Sequence, residues 1–358
     1  MIKVGIIGMG RSGWELHATA LHKIDGYSVA AVCDQSPARL AEAAKTFGAR
    51  PYSDAQALIA DPEVDLVVVA VPGRVHSALA IAALQAGKHV VAEKPMANTL
   101  AEAEEMLAAA QRSGRLLTVF HNRRWDRDYQ MVKALVRQGV LGELLTIDSR
   151  VMTYGPEWPT YGVPDFNPSW RIQAAYGGGF LADWGPHLVE QCLDLTGEWP
   201  LSVTCQLRSH LWATEVEDYF HLRLVFPSGL LATLEGSNNA RLPLPRWFVV
   251  GREATLTADG VWGRWTEMRI RRLMADMPVD ILPQGVGPSS GGRNYDVGEE
   301  LSAQFYGNLA QALAGECKPA ITAERARDVI AILDAARRSH AAGGTIKLDP
   351  PKEPSSKC

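Results

Sequence analysis

An aspartate and a histidine four residues apart, Asp183 and His187, follow three consecutive glycines in the stretch GGGFLADWGPHLVEQ, residues 177 to 191. On a helix, side chains at i and i+4 stand one above the other, so this spacing makes carboxylate and imidazole neighbours. Such a pair can hold a hydroxyl and accept its proton. Pro186 is tolerated only in a first helical turn, so the helix is expected to begin near Pro186 and end at Gly197, with Asp183 just ahead of it. The glycines let the backbone pass close to something bulky. A capping aspartate and a buried structural histidine would account for the same letters, so the rest of the chain has to decide.

Residues 8 to 13 read GMGRSG. The string alone is weak, but it follows the apolar run IKVGII, opens a helical pattern, and is followed about 20 residues later by Asp34 at the end of the next apolar run. In that setting Gly8 makes the tight turn, Gly10 lets backbone approach a pyrophosphate, and Gly13 packs helix on strand. Met9, Arg11 and Ser12 lie between them, with the anion at the helix N-terminus. Asp34 can accept from ribose hydroxyls and would repel a 2′-phosphate. Gln35 and Ser36 supply no cation for one, although Arg39 could approach. NAD is expected over NADP.

These groups need elements to position them. The first 120 residues alternate short β-branched runs (KVGIIG, SVAAVCD, DLVVVAV, HVVAEKP, LLTVFH) with helical patterns over 14–24, 37–47, 76–86 and 99–113. Continuous apolar strands separated by helices imply a parallel sheet covered on both faces, hence an α/β doubly wound N-terminal domain over residues 1–122. A helix over 127–138 then leads to alternating segments (ELLTIDSRVMT, LSVTCQLRSH, DYFHLRLVF, GLLATLEGSNN, RWFVVGR, ATLTAD) that read as an open, mainly antiparallel sheet. With the helix at Pro186 and two more over 299–314 and 322–341, they make an α+β C-terminal domain, residues 123–345. The stretch 281–296 reads as a loop, and 346–358, which contains PPKEPSSKC, as a flexible tail.

Residues 71 to 97, VPGRVHSALAIAALQAGKHVVAEKPMA, with GMGRSG, HNRRWD at 121–126 and GGGFLADWGPH, resemble the glucose-fructose oxidoreductase and inositol dehydrogenase family over nearly the whole chain. The resemblance implies that Lys94 of Glu93-Lys94-Pro95, with Asp183 and His187, forms the catalytic group. It also places Val71, Pro72 and His76 beside the nicotinamide ribose and Glu93 at the cofactor, though His76 can equally be a plain helix start. The residues agree with the catalytic assignment: a lysine at the carboxyl end of a parallel strand faces the crevice where such sheets bind ligands. Its bland alternative is a salt bridge to Glu93. Oxidising an alcohol requires removal of its hydroxyl proton, and an imidazole of ordinary pKa near 6.5 is suited to take it. His187 is then the base and Lys94 the stabiliser of developing alkoxide charge, with the exchange of those roles left open. Asp183 orients a substrate hydroxyl or supports His187. Asn122 can reach cofactor, Arg123 or Arg124 an acidic or hydroxylated substrate, and Trp170 a sugar face; surface ion pairs and loop packing are their alternatives.

A formal net charge of -4 gives no reason to expect nucleic acid or an anionic membrane as partner. Five scattered cysteines without close pairing suit a reducing compartment and no structural zinc or other metal. No signal segment precedes the first strand and no run approaches the length of a membrane helix, so the cytoplasm is expected. The expected activity is NAD(P)-dependent hydride transfer to or from a hydroxyl-bearing carbon of a sugar, sugar acid or cyclitol. Rival readings are an NAD-recycling glycoside hydrolase, for which the export signal of its relatives is missing, and a non-catalytic nucleotide sensor, against which Lys94, Asp183 and His187 argue. The resemblance also implies a homodimer or homotetramer built through the C-terminal sheet.

Overall fold

The computed structural model describes residues 1–155, 168–261, 264–272 and 294–351. Its first sheet is made of β1 (Ile2–Ile7), β2 (Tyr27–Cys33), β3 (Arg50–Tyr52), β4 (Leu66–Val69), β5 (His89–Ala92) and β6 (Leu117–Val119). All six are parallel, in the order β3-β2-β1-β4-β5-β6. Val4, Ile6, Leu66, Val68, Val90 and Val91 are fully buried, which is why these runs carry no alternation. The connecting helices are α1 (Thr19–Lys23), α2 (Pro37–Phe47), α3 (Ala55–Ala60), α4 (His76–Gln85) and α5 (Leu100–Ser113). Strand order reverses between β1 and β4, and that reversal opens a crevice at their carboxyl ends.

The helix expected over 14–24 is divided. Ser12–Ala18 winds as a π-helical turn and only then tightens into α1. The short β3 and α3 carry too few residues to show a period, and they went unmarked in the sequence pattern.

Beyond α6 (Arg127–Arg137) come β7 (Leu144–Met152), α7 (Phe180–Thr196), β8 (Ser202–Arg208), β9 (Tyr219–Val225), β10 (Leu231–Ser237), β11 (Trp247–Gly251), β12 (Ala254–Val261) and β13 (Arg264–Arg272). The chain then runs through α8 (Asn294–Leu313), α9 (Ala323–Ala342) and β14 (Ile346–Lys347). The eight strands lie in the order β13-β12-β11-β7-β10-β9-β8-β14. Every pair is antiparallel except β7 with β10, which is parallel. Inward residues such as Ile147, Leu222 and Leu234 meet Leu188 and Val189 of α7 and Ile330 and Leu333 of α9 in one apolar core. The sheet extends into the segment expected to be a tail, because Ile346–Lys347 pair with β8. Residues 352–358, and the expected loop 281–296 up to residue 293, lie outside the described residues.

The site helix starts earlier than proline placement suggests. α7 begins at Phe180, so Asp183 sits in its first turn and Pro186 inside the helix. The reason is tertiary: the Phe180 N–H donates to the Glu217 carbonyl, and the Leu181 N–H to the Glu217 carboxylate at 3.0 Å, so orphan donors of the first turn are satisfied from the strand side. The glycines ahead of it are there for close approach, as a Cβ on Gly178 would lie 2.1 Å from the Arg171 carbonyl oxygen. Finally, α8 returns to the first sheet, where Phe305, Tyr306 and Leu309 join Val4, Ile6 and Phe120 in a second core.

Candidate active site

The glycine turn at the end of β1 fits a dinucleotide. Gly8 has φ +96°, and a Cβ there would lie 2.5 Å from the Ala70 carbonyl oxygen. On Gly13 a Cβ would lie 1.8 Å from the Gly8 carbonyl oxygen, so the helix start can reach the strand end only without a side chain. Asp34 is locked beside this turn. Its Oδ2 accepts the Met9 N–H at 2.8 Å and its Oδ1 the Ser36 N–H at 2.9 Å. Arg39 lies 3.6 Å from Oδ1, so the basic residue flagged by the sequence is paired with the carboxylate it might have countered.

From the turn, a cleft runs across the crevice. Gly10, Arg11 and Ser12 line it at the β1 end, Val71, Pro72 and His76 after β4, and Glu93 and Lys94 after β5. Its opposite wall comes from Trp170, Arg171 and Asp183. Residues far apart in sequence thus meet because three parallel strands end at one edge and α7 lies over it.

Lys94 crosses to α7 rather than to Glu93. Its Nζ lies 2.5 Å from Asp183 Oδ1 and donates to the Asp183 carbonyl at 2.9 Å. A proline cannot supply the N–H that position 186 would otherwise offer to the Ala182 carbonyl, and its ring crowds that turn. Lys94 itself donates to the next carbonyl, that of Asp183. Arg171 Nε is 3.9 Å from the same Asp183 oxygen, and the Arg171 guanidinium lies over the Trp170 ring at 4.5 Å.

His187 stands one turn further along α7, 5% exposed and outside the cleft wall of described residues. Burial above all, then the nearby Lys94, His121, Arg123 and Arg246, holds its imidazole well below the ordinary range. The ring is therefore neutral at physiological pH, with Nδ1 unpartnered among the described residues. His121, in edge contact at 5.9 Å, is itself pushed down to about 3 by burial, Arg124 and Lys94.

The remaining candidates divide. His76 opens α4 with Nδ1 2.8 Å from the Pro95 carbonyl and Nε2 2.7 Å from that of Val71, bracing the cleft wall. Asn122 begins a short 3₁₀ turn, buried and away from the wall. Arg124, read as a substrate contact, is engaged inside the protein instead. Its guanidinium binds Glu190 and, at 2.7 Å, Asp194, both on α7. Burial pushes the Glu190 carboxyl up and leaves it dependent on that cation. Arg124→Ala should therefore lower the free energy of unfolding in denaturant by roughly 3 kcal/mol, as for removal of one partner of a buried pair, with the KM for substrate unchanged. A raised KM at unaltered stability would restore the substrate reading.

Sequence reasoning missed His17 and Tyr306, which lie behind the cleft. His17 Nε2 is 3.2 Å from Glu93 Oε1, and His17 Nδ1 is 2.6 Å from the Tyr306 hydroxyl. A lone histidine on an otherwise apolar helix face was the available signal for the first. Nothing local marked the second, which reaches the site only by the return of α8.

A parallel sheet with a glycine turn at its switch point and a Lys–Asp pair at that crevice suit a dinucleotide-dependent oxidoreductase. The chain belongs to the GFO/IDH/MocA oxidoreductase family: residues 2–121 match its NAD-binding Rossmann-fold model and residues 129–257 one of its C-terminal domain models. It is 32% identical to a scyllo-inositol 2-dehydrogenase (NADP(+)) of Bacillus subtilis, over 97% of this chain and 96% of that one. Among solved structures it resembles the WlbA dehydrogenase of Bordetella pertussis in complex with NADH and UDP-GlcNAcA, with TM-score 0.80 and 25% identity over 98% of both chains. An aldose-aldose oxidoreductase of Caulobacter crescentus, complexed with glycerol, gives TM-score 0.79 and 26% identity over 97% of this chain and 99% of that one. No described helix is long and apolar enough to cross a membrane.

Proposed function

We propose that this oxidoreductase moves a hydride between NAD and a hydroxyl-bearing carbon of a sugar, sugar acid or cyclitol. The observation that carries the reading is the Lys94–Asp183 pair at 2.5 Å, closing a cleft that begins at the glycine turn. Residues 1–122 would carry the cofactor and residues 123–345 the substrate and the subunit contacts.

The glycine turn and helix start hold the pyrophosphate, and Asp34, oriented by two backbone N–H groups, accepts from a ribose hydroxyl. The bound cofactor supplies the hydride acceptor. Lys94 donates to the reacting oxygen and stabilises the alkoxide as it forms, while Asp183 fixes the ammonium in place. His187, kept neutral, accepts the hydroxyl proton. Trp170 offers a ring face to the substrate beside them.

A nicotinamide absorbance screen across sugars and inositols tests this. NADH should accumulate in proportion to oxidised product, and NAD should bind at least about tenfold more tightly than NADP, because Arg39 is engaged by Asp34. Released sugar without NADH would move the reading to a glycoside hydrolase. Nucleotide binding without turnover would move it to a sensor. Tighter NADP binding, as the Bacillus relative's name would suggest, would reverse the cofactor preference.

The outward face of the second sheet carries Phe248, which is exposed, with Val250 and Leu231 half-buried, and Arg150 reaching Asp148 and Glu235. Apolar side chains among mutually paired charges suit a self-complementary contact, and a homodimer or homotetramer through this face is part of the proposal. So is a cytoplasmic location, which the buried free thiols of Cys33, Cys192 and Cys205 support.

A further inference from the structure

The hydride-transfer scheme leaves one buried carboxylate in the cleft without a role. Glu93 ends β5 immediately before Lys94, lines the cleft and is 6% exposed. Its Oε1 faces His17 Nε2 at 3.2 Å and its Oε2 accepts the Lys94 N–H at 3.1 Å. A carboxylate only accepts, so His17 presents an N–H from Nε2 to it, and Nδ1 lies 2.6 Å from the Tyr306 hydroxyl, accepting from it in the neutral ring and donating to it in the imidazolium. Tyr306 is held in turn, because the Tyr27 hydroxyl donates to its carbonyl at 2.9 Å. His17 and Tyr306 are both fully buried.

In the neutral ring and in the imidazolium alike, this chain of groups ends on the Glu93 carboxylate. Burial pushes the Glu93 carboxyl up, but the hydrogen bond from His17, with the charges of His17, Lys94 and His76, more than compensates and holds it below its ordinary range. Three cations of the cleft also have carboxylate partners of their own. Lys94 and Arg171 face Asp183, and Arg11 faces Glu15 at 3.3 Å. The negative charge of Glu93 is thus retained in the wall, next to the residue on which the chemistry turns. The π-helical turn that carries His17 is a device that recurs at functional positions.

We propose that Tyr306 and His17 hold Glu93 as a fixed anion that makes the cleft discriminate between the redox states of the nicotinamide, favouring the oxidised, cationic ring over the neutral reduced one. The inference rests on the NAD reading above and deepens it. The two forms of the cofactor differ in ring charge, and only a group with a different interaction energy toward each can separate them. A buried carboxylate in a low-dielectric wall is such a group. Its effect is to retain NAD before turnover and release NADH after it, a bias toward polyol oxidation.

Calorimetric titration of the full chain with NAD and with NADH tests this without any substrate. In Glu93→Gln the ratio of the two dissociation constants, NAD over NADH, should rise about tenfold, because only the oxidised form loses an attraction. Tyr306→Phe, which removes one hydroxyl and keeps the ring, should move the ratio severalfold in the same direction, and the double variant should go no further than Glu93→Gln alone. Equal weakening of both nucleotides, or an unchanged ratio in Tyr306→Phe, would overturn the inference and leave the chain of groups as packing. Failure of the wild-type protein to bind either nucleotide would overturn the cofactor reading itself, so the two failures are distinguishable.

Discussion

Lys94→Ala is expected to lower kcat by about 10²–10³, the loss associated with removing one preorganised donor to a developing oxyanion, while NAD affinity changes far less. The geometry makes the expectation specific. Nζ is anchored by two atoms of one residue, Asp183 Oδ1 at 2.5 Å and the Asp183 carbonyl at 2.9 Å, so the ammonium is fixed before substrate arrives. Lys94→Arg should not restore the rate, because a planar guanidinium cannot reproduce a compact donor held in that corner. Single-turnover measurement of hydride transfer separates this from a binding defect. A kcat that survives Lys94→Ala would make the lysine a tie between β5 and α7 and nothing more.

His187→Ala should cost about 10²–10⁴ in kcat/KM for oxidation, the range for a lost general base. The pH profile follows from the direction of its shift. A histidine whose pKa is lowered is neutral, and able to accept a proton, at every pH above that lowered value. The acid limb of kcat/KM assigned to His187 should therefore lie clearly below the ~6.5 of an unperturbed imidazole, not at it, and should vanish in His187→Ala. Asp183→Asn would release Lys94 and shift the same profile, and the double variant should cost much less than the two singles combined, since both serve one step. A profile that keeps its limb without His187 would pass the base role to Lys94. Additive losses would show that Asp183 and His187 work separately.

The parallel sheet was legible because its signal is redundant: fully buried β-branched runs, helices between them, and a glycine turn with Asp34 in register. The approach of Lys94 to Asp183 was legible through motif types, and the catalytic roles of Lys94, Asp183 and His187 belong to the proposal. What the sequence could not show is whatever depends on a partner distant in the chain. Pro186 argues for a helix start near itself, and the local argument loses because Glu217, thirty-odd residues away, satisfies the first turn at Phe180. Arg124 looks like a free cation until Glu190 and Asp194 are brought beside it. The parallel pairing of β7 with β10 and the short β14 are likewise set by neighbours and not by their own residues.

The return of α8 to the first sheet bears on how the chain matures as it leaves the ribosome. A nascent polypeptide ending near residue 122 already holds every strand of the dinucleotide-binding sheet, yet it lacks Phe305, Tyr306 and Leu309, which complete the core around Val4, Ile6 and Phe120. It also lacks the hydroxyl that His17 receives. During synthesis, an apolar face of the first half must stay uncovered until nearly two hundred further residues have emerged, a period in which holdase chaperones have a surface to bind. The unit recognised by family comparison at residues 2–121 thus stops short of a helix that completes its own core. A protein divided near residue 122 would leave that apolar face bare on its first fragment unless α8 were supplied in trans.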